Sequence, residues 1–331
     1  MTNMKAVATV RDVDILDEYT RQHLPYPTSF LSVLDLTPET LEHLLDVAAA
    51  MKRDRLVRRA GGQPLAGRHV ALLFEKPSLR TRTTFVIAVR ELGGEVIEPL
   101  PDVIFGGRET VEDVARNLER WVSGVIVRTF EQDKLVRLDR AAPDLHVVNA
   151  LTDDEHPCQA LADMMTLREA FGSLEGRVLT FVGDGNNVAA SLAHAGAMLG
   201  LHVRVASPRG YELPAAVVAA ARSVARHGAT VTVTNDPVEA VTGADAVYTD
   251  VWASMGQEEE TEARARIFAP YQVNDALMAE TGPGALFMHC LPAHRGAEVT
   301  DSVMDSPASA VFDQAENRLH TQKALLALLM A

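Results

Sequence analysis

Apolar runs of four to six residues recur along the chain, each followed by a longer stretch in which apolar positions return every three or four residues. The short runs at 69–74, 122–127, 145–148, 178–182, 202–206, 230–234, 246–249 and 285–288 predict strands. The stretches at 84–92, 111–121, 159–170 and 189–199 predict helices. Another helix is expected to open at Thr37-Pro38-Glu39, where Thr37 can cap, Pro38 suits the first helical position, and Leu41, Leu44 and Leu45 supply an apolar face. Strand-helix alternation over the whole length implies parallel sheets covered on both faces, an α/β fold. At 331 residues the chain is long enough for two such units. Gly172-Ser173-Leu174-Glu175-Gly176 is the strongest interior break, and residues 1 to about 28 show no sustained periodicity and read as an arm.

Composition narrows the choice of partners. The chain carries 31 Lys and Arg against 45 Asp and Glu, a formal charge of −14, which argues against general nucleic-acid or anionic-membrane binding. No apolar run reaches the roughly 18 residues of a membrane-spanning helix. Asp12, Asp14, Asp17 and Glu18 stand where a secretory leader would carry basic and then apolar residues. Two cysteines, Cys158 and Cys290, do not make a disulfide framework. A cytoplasmic protein is the expectation.

Ligands of open parallel sheets bind outside the carboxyl ends of the strands. Six predicted strands are followed there by residues with useful chemistry: Glu75-Lys76-Pro77-Ser78-Leu79-Arg80-Thr81-Arg82, Arg128, His156-Pro157-Cys158-Gln159, Gly183-Asp184-Gly185-Asn186-Asn187, Asp250 to Gly256, and His289-Cys290-Leu291-Pro292. Ser78 to Arg82 reads as an anion site, because a helix start offers free N–H groups and a positive dipole end, and Arg80 adds a planar fork. Gly183-Asp184-Gly185 could open a dinucleotide fingerprint, but Val188 stands in place of the third glycine. The next strand also ends in Ala206-Ser207-Pro208, without a ribose-binding acid. His289 and Cys290 are adjacent and match no standard zinc spacing, so neither a metal nor another cofactor is expected.

Taken in order, these segments, with Ala315-Glu316-Asn317-Arg318, resemble the aspartate/ornithine carbamoyltransferase family over residues 29–331. Ser-x-Arg-Thr-Arg resembles the mark of the whole family. The Ser254-Met255-Gly256 loop with His289-Cys290-Leu291-Pro292 resembles its ornithine branch. The resemblance implies two α/β domains, each a parallel sheet flanked by helices and joined by bridging helices. Residues 1–150 would bind carbamoyl phosphate and 151–314 ornithine, with the helix at about 315–331 returning to the first domain. The reaction implied moves the carbamoyl group of carbamoyl phosphate to the side-chain amine of L-ornithine, giving L-citrulline and phosphate, in a homotrimer or a multiple of trimers.

Carried over by motif, Ser78, Leu79, Arg80 and Thr81 would cradle the phosphate, and Arg128, His156 and Gln159 would hold the carbamoyl group. Asn187, Asp250, Ser254 and Met255 would bind ornithine. Cys290 and Leu291 would line the reacting centre, and Arg318 would close over the carbamoyl phosphate. The catalytic set implied is Arg128, His156, Asp250 and Cys290, with Asp250 or Cys290 nearest the proton that the attacking amine must shed, since such an amine has a solution pKa of about 10.4. Three positions depart from the family pattern: Leu79 for a threonine, Val86 for a glutamate, and Ile104 for a Gln or His that reaches the neighbouring chain. The competing readings are a carbamoyltransferase for another amine and a catalytically silent relative.

Overall fold

The computed structural model describes residues 24–56, 63–100, 107–253 and 261–330. Most of the proposed N-terminal arm, together with Ile104, Ser254 and Met255, lies outside the described residues.

The first unit runs α1 (Pro38–Leu56), β1 (His69–Phe74), α2 (Arg80–Glu91), β2 (Glu95–Ile97), α3 (Val111–Leu118), β3 (Gly124–Arg128), α4 (Gln132–Ala141) and β4 (His146–Leu151). Its four strands are parallel, in the order β2-β1-β3-β4. Helix α5 (Pro157–Phe171) leads to the second unit: β5 (Val178–Val182), α6 (Asn187–Met198), β6 (His202–Ala206), α7 (Ala215–Ser223), β7 (Val231–Thr234), α8 (Pro237–Val241), β8 (Ala246–Thr249), α9 (Thr261–Phe268), α10 (Asp275–Ala279), β9 (Leu286–His289) and α11 (Asp301–Met304). Its five strands are also parallel, in the order β7-β6-β5-β8-β9. The last helix, α12 (Val311–Met330), packs back against α1, α2 and α5.

The eight predicted strands form within three residues of their expected bounds. The ninth, β2, is a three-residue edge strand with Glu95 and Ile97 exposed, too short and too wet to leave an apolar signature. Helix α2 begins four residues earlier than the apolar pattern predicts. Its first turn is Arg80-Thr81-Arg82-Thr83, polar throughout, so periodicity sees only the part that packs. Arg80 and Thr81 thus lie in the first turn of the helix, in keeping with the helix start read at Ser78 to Arg82.

One apolar cluster is shared by both units and contains Phe30, Leu72, Phe85, Leu161, Met164, Phe181, Leu192 and Leu325; the two remaining clusters cover the outer faces of the sheets. From Pro157 to Leu167 every residue of α5 is buried, including Gln159, Asp163 and Thr166. A helix buried all round serves as the wall between two layers rather than as an outer cover, and polar groups inside it must find partners there.

Candidate active site

Both sheets change winding direction once. In the first, the chain moves from β1 to β2 on one side and returns to β3 on the other; in the second it moves from β5 through β6 to β7 and returns to β8. Each reversal leaves a crevice at the carboxyl ends of the flanking strands. In the first sheet the crevice lies between β1, which leads to Ser78–Thr81, and β3, which ends in Arg128 paired with Phe74. In the second it lies between β5, followed by Gly183–Asn187, and β8, followed by Asp250. The chain order therefore delivers the predicted residues to two switch points, which sequence alone could not order in space.

On the first side, Leu79 stands at the N-cap of α2 and offers no side-chain cap, so the first-turn N–H groups are left without one. Ser78 and Arg80 are half-buried beside it and Thr81 is buried. Arg318, 3 % exposed, reaches from α12 to donate through Nη2 to the Thr81 hydroxyl at 2.6 Å. Burial, then the neighbouring Arg318 and Arg80, bring the Arg128 pKa down to about 10, so the group stays charged at neutral pH. Burial also lowers Arg80 and Arg318. Guanidinium groups crowded into a partly dry space repel one another, and an anionic ligand would relieve them. His156, next to Pro157 at the start of α5, is pushed well below its ordinary pKa by burial and by Arg318, Arg128 and Lys76, so its imidazole is neutral. Its Nδ1 has no partner among the described residues.

On the second side, Asp250 gathers three donors: the Cys290 Sγ–H at 2.9 Å, the Val251 N–H at 2.8 Å and the Asn186 Nδ2–H at 2.9 Å. Burial and the Asp250 carboxylate push the Cys290 thiol well above its usual range. It is a protonated donor, and of the two candidates for taking a proton only Asp250 is an acceptor. Asn187 donates to the Thr152 carbonyl at 2.5 Å, across to the first unit. Leu291, joined to Pro292 by a cis peptide, has φ +58°. Arg128 lies close enough to Asp250 to feel its carboxylate charge, and the Asn187 bond to Thr152 joins the same two edges. The two crevices thus face each other across one cleft.

Asp250, His289 and Cys290 hold potential metal-ligand atoms within 4.8 Å of one another. Those atoms are already engaged in hydrogen bonds within the chain. The His289 Nδ1 accepts the Leu291 N–H at 2.8 Å, so Nε2 carries the proton and donates to Glu298 at 3.3 Å, while the thiol is turned onto Asp250.

The dinucleotide alternative has a structural answer. A Cβ on Gly185 would lie 2.3 Å from the Leu213 backbone N, and the Gly185 N–H donates to the Tyr211 carbonyl at 2.8 Å. The glycine is required by a crossing of this chain, and Asn186 caps α6 through Oδ1. Sequence reasoning passed over Asp163, Gln314 and Tyr248, and gave Lys76 no role. Lys76 is buried, pairs with Asp153 at 2.6 Å and lies over the Phe130 ring. The available signal for Asp163 was a lone acid four residues after Gln159, on the same face of an otherwise apolar helix.

Fold and cleft together define a two-domain α/β protein with a cationic pocket facing an acidic and thiol-bearing edge, the layout of a group-transfer enzyme that handles an anionic donor. Residues 28–169 match the carbamoyl-P binding domain, and residues 175–329 the Asp/Orn binding domain, of aspartate/ornithine carbamoyltransferase. The chain belongs to the aspartate/ornithine carbamoyltransferase family. It is 54 % identical over 304 residues to the ornithine carbamoyltransferase of Acidothermus cellulolyticus, covering 91 % of this chain and 96 % of that one. Among solved structures, the ornithine carbamoyltransferase from Pyrococcus furiosus is 46 % identical with a TM-score of 0.88, covering 91 % of this chain and 96 % of that one. The Thermus thermophilus enzyme is 45 % identical with a TM-score of 0.83, covering 93 % and 100 %.

Proposed function

We propose that this protein is a cytoplasmic enzyme of amino-acid metabolism that transfers the carbamoyl group of carbamoyl phosphate to the side-chain amine of L-ornithine, forming L-citrulline and phosphate. The observation that carries the reading is the cluster of Arg80, Arg128 and Arg318 opposite the Asp250–Cys290 pair in one cleft. The first unit, with α12 returning to it, takes the carbamoyl phosphate, and the second takes the amino acid.

In this mechanism the phosphate sits on the α2 N-terminus, with Ser78, the Leu79 backbone, Arg80 and Thr81 around it. Arg128 and neutral His156 donate to the carbamoyl oxygen, and Gln159 and Leu291 hold its amino group. Attack by the amine nitrogen makes a tetrahedral oxyanion, which those donors stabilise without rearranging. The nitrogen passes its extra proton to Asp250, the C–O bond to phosphate breaks, and the phosphate leaves onto the arginines, closed over by Arg318. Asn187, Asp250, Ser254 and Met255 orient the amino acid, Asp250 facing its amine while Cys290 remains a thiol. Self-association into trimers is part of the proposal, supported by the apolar Leu79 and Leu100, 76 % and 71 % exposed in the single chain.

Citrulline formation from carbamoyl phosphate and ornithine is the direct test, run beside putrescine and N-acetylornithine. The ornithine site must satisfy both an α-carboxylate and an α-ammonium, and polar groups left unpaired cost roughly 1–3 kcal/mol each. Both other amines are therefore expected to be poor substrates. Putrescine turning over as efficiently as ornithine would refute the choice of amine. Light scattering of the purified protein reads the assembly.

A further inference from the structure

Three side chains outside the proposed contact set, those of Gln314, Asp163 and Tyr248, form a directed hydrogen-bond relay that ends on Gln159. It starts at a group that cannot turn over: the His289 backbone N–H donates to Gln314 Oε1 at 3.0 Å. That fixes which end of the Gln314 amide is which. Its Nε2 then donates to Asp163 Oδ1 at 2.7 Å and to the Tyr248 hydroxyl at 2.9 Å. The same Oδ1 receives the Gln159 Nε2–H at 2.8 Å. Asp163, Gln314 and Tyr248 are all within 1 % of complete burial. Burial raises the Asp163 carboxyl to about 7, but a proton there would sit on Oδ2, so Oδ1 accepts in either state. With its nitrogen committed, Gln159 is left with Oε1, a buried carbonyl oxygen that has no partner among the described residues.

We infer that Asp163 and Gln314 are positioning residues that lock the Gln159 amide with its oxygen toward the acyl group of the donor, so that the site selects an acyl phosphate bearing an N–H₂ group over one bearing a methyl. The inference rests on the carbamoyl phosphate reading and adds to it the residues that set acyl-group choice. An amide free to rotate could offer either face, and its NH₂ end would tolerate a methyl no worse than an amino group. A fixed acceptor gains a hydrogen bond from carbamoyl phosphate and is left unpaired by acetyl phosphate, the asymmetry that makes buried polar groups selective. The relay also ties the choice to both units, because Gln314 is on α12, Asp163 on α5, and its anchor on β9.

The experiment measures binding of carbamoyl phosphate, acetyl phosphate and inorganic phosphate by calorimetry, without the second substrate. The variants are Asp163→Leu, Asp163→Asn and Gln314→Met. Asp163→Leu is expected to weaken carbamoyl phosphate about tenfold or more while leaving acetyl phosphate and inorganic phosphate near their parent affinities, so that discrimination between the two acyl phosphates collapses. Asp163→Asn keeps an oxygen at the Oδ1 position and should restore most of the discrimination. Gln314→Met cuts the relay at its anchored end, leaves Asp163 in place, and should lower discrimination in the same direction, which keeps the inference testable if Asp163→Leu does not fold. Equal weakening of all three ligands would mean a purely structural role and would overturn the inference, as would unchanged discrimination in folded Asp163→Leu or Gln314→Met. Parent protein that prefers carbamoyl to acetyl phosphate but forms no citrulline would refute the reaction and leave the relay standing. Parent protein that binds neither acyl phosphate would refute the donor itself.

Discussion

Asp250→Asn exchanges one carboxylate oxygen for an amide NH₂ in a place where three donors converge. If the new oxygen keeps the Oδ1 position, Cys290 and Val251 remain satisfied and the NH₂ confronts the Asn186 NH₂. Leaving that donor pair in place forfeits a hydrogen bond to a charged acceptor, roughly 1.5–3 kcal/mol, and strands a buried donor for about 1–3 more. Asn186 can avoid this by turning its amide over, but its Oδ1 caps α6 by accepting from Val188 N and Ala189 N. Losing the cap costs about 1 kcal/mol, so rotation is the cheaper response, and the expected loss of stability is about 1–2 kcal/mol by urea denaturation. On the proposed mechanism the functional loss is larger, because the carboxylate charge set to face the amine is gone. A charge-assisted contact of about 1.5–3 kcal/mol corresponds to roughly 10–150-fold in kcat/KM for ornithine. Steady-state citrulline assays with ornithine varied, paired with calorimetry of inorganic phosphate, separate the two sides of the cleft. Phosphate affinity should stay within about twofold of the parent. Parent-like kcat/KM, or phosphate binding lost in proportion, would refute the placement of Asp250 opposite the arginines.

Other expectations follow from the same geometry. The Cys290 thiol should react slowly with iodoacetamide at pH 8, and Asp250→Asn should speed its alkylation, read by mass spectrometry; equal rates would remove Asp250 as the cause of its protonation. Arg80→Ala should weaken inorganic phosphate by about 1.5–3 kcal/mol with little change in stability, since Arg80 is half-buried at a helix start; unaltered phosphate binding would take Arg80 out of the site. Gly185→Ala should destabilise the protein by about 2 kcal/mol or more, because the new methyl meets the backbone of Leu213, not the end of a flexible side chain. Stability should also fall modestly as pH drops from 6.5 to 5.5. His156 and His320 have folded pKa values below 6.5, so the unfolded chain takes up two protons that the folded one refuses, while Asp163, raised to about 7, takes up one in the folded state only. The net loss is about 1 kcal/mol, rising to about 2 in Asp163→Asn, where that offset is gone; a flat urea midpoint over this interval in both proteins would contradict it.

The sequence by itself determined the alternation of elements, because strands covered by helices must be largely apolar, and eight of the nine described strands left that signal, even the edge strand β7, Val-Thr-Val-Thr, with Thr232 and Val233 exposed. It also determined the chemistry available at each strand end, since that chemistry resides in side chains such as Arg80, His156 and Cys290. Their meeting in one cleft depended on the order β2-β1-β3-β4 and β7-β6-β5-β8-β9, a matter of which strands pair across long separations that no local pattern encodes. Only the tertiary structure decided that Arg318 closes on Thr81 across 237 residues, that the Cys290 thiol is a donor and not a base, and that Gly185 serves a chain crossing. The start of α2 shows the same limit at short range: a polar first turn has no apolar period, and its helical form follows from the packing of the turns after it. The relay from His289 to Gln159 belongs wholly to the fold. A buried glutamine in sequence is either a core anomaly or a specific contact, and the direction of its amide is set by a backbone N–H 130 residues away, 289 against 159.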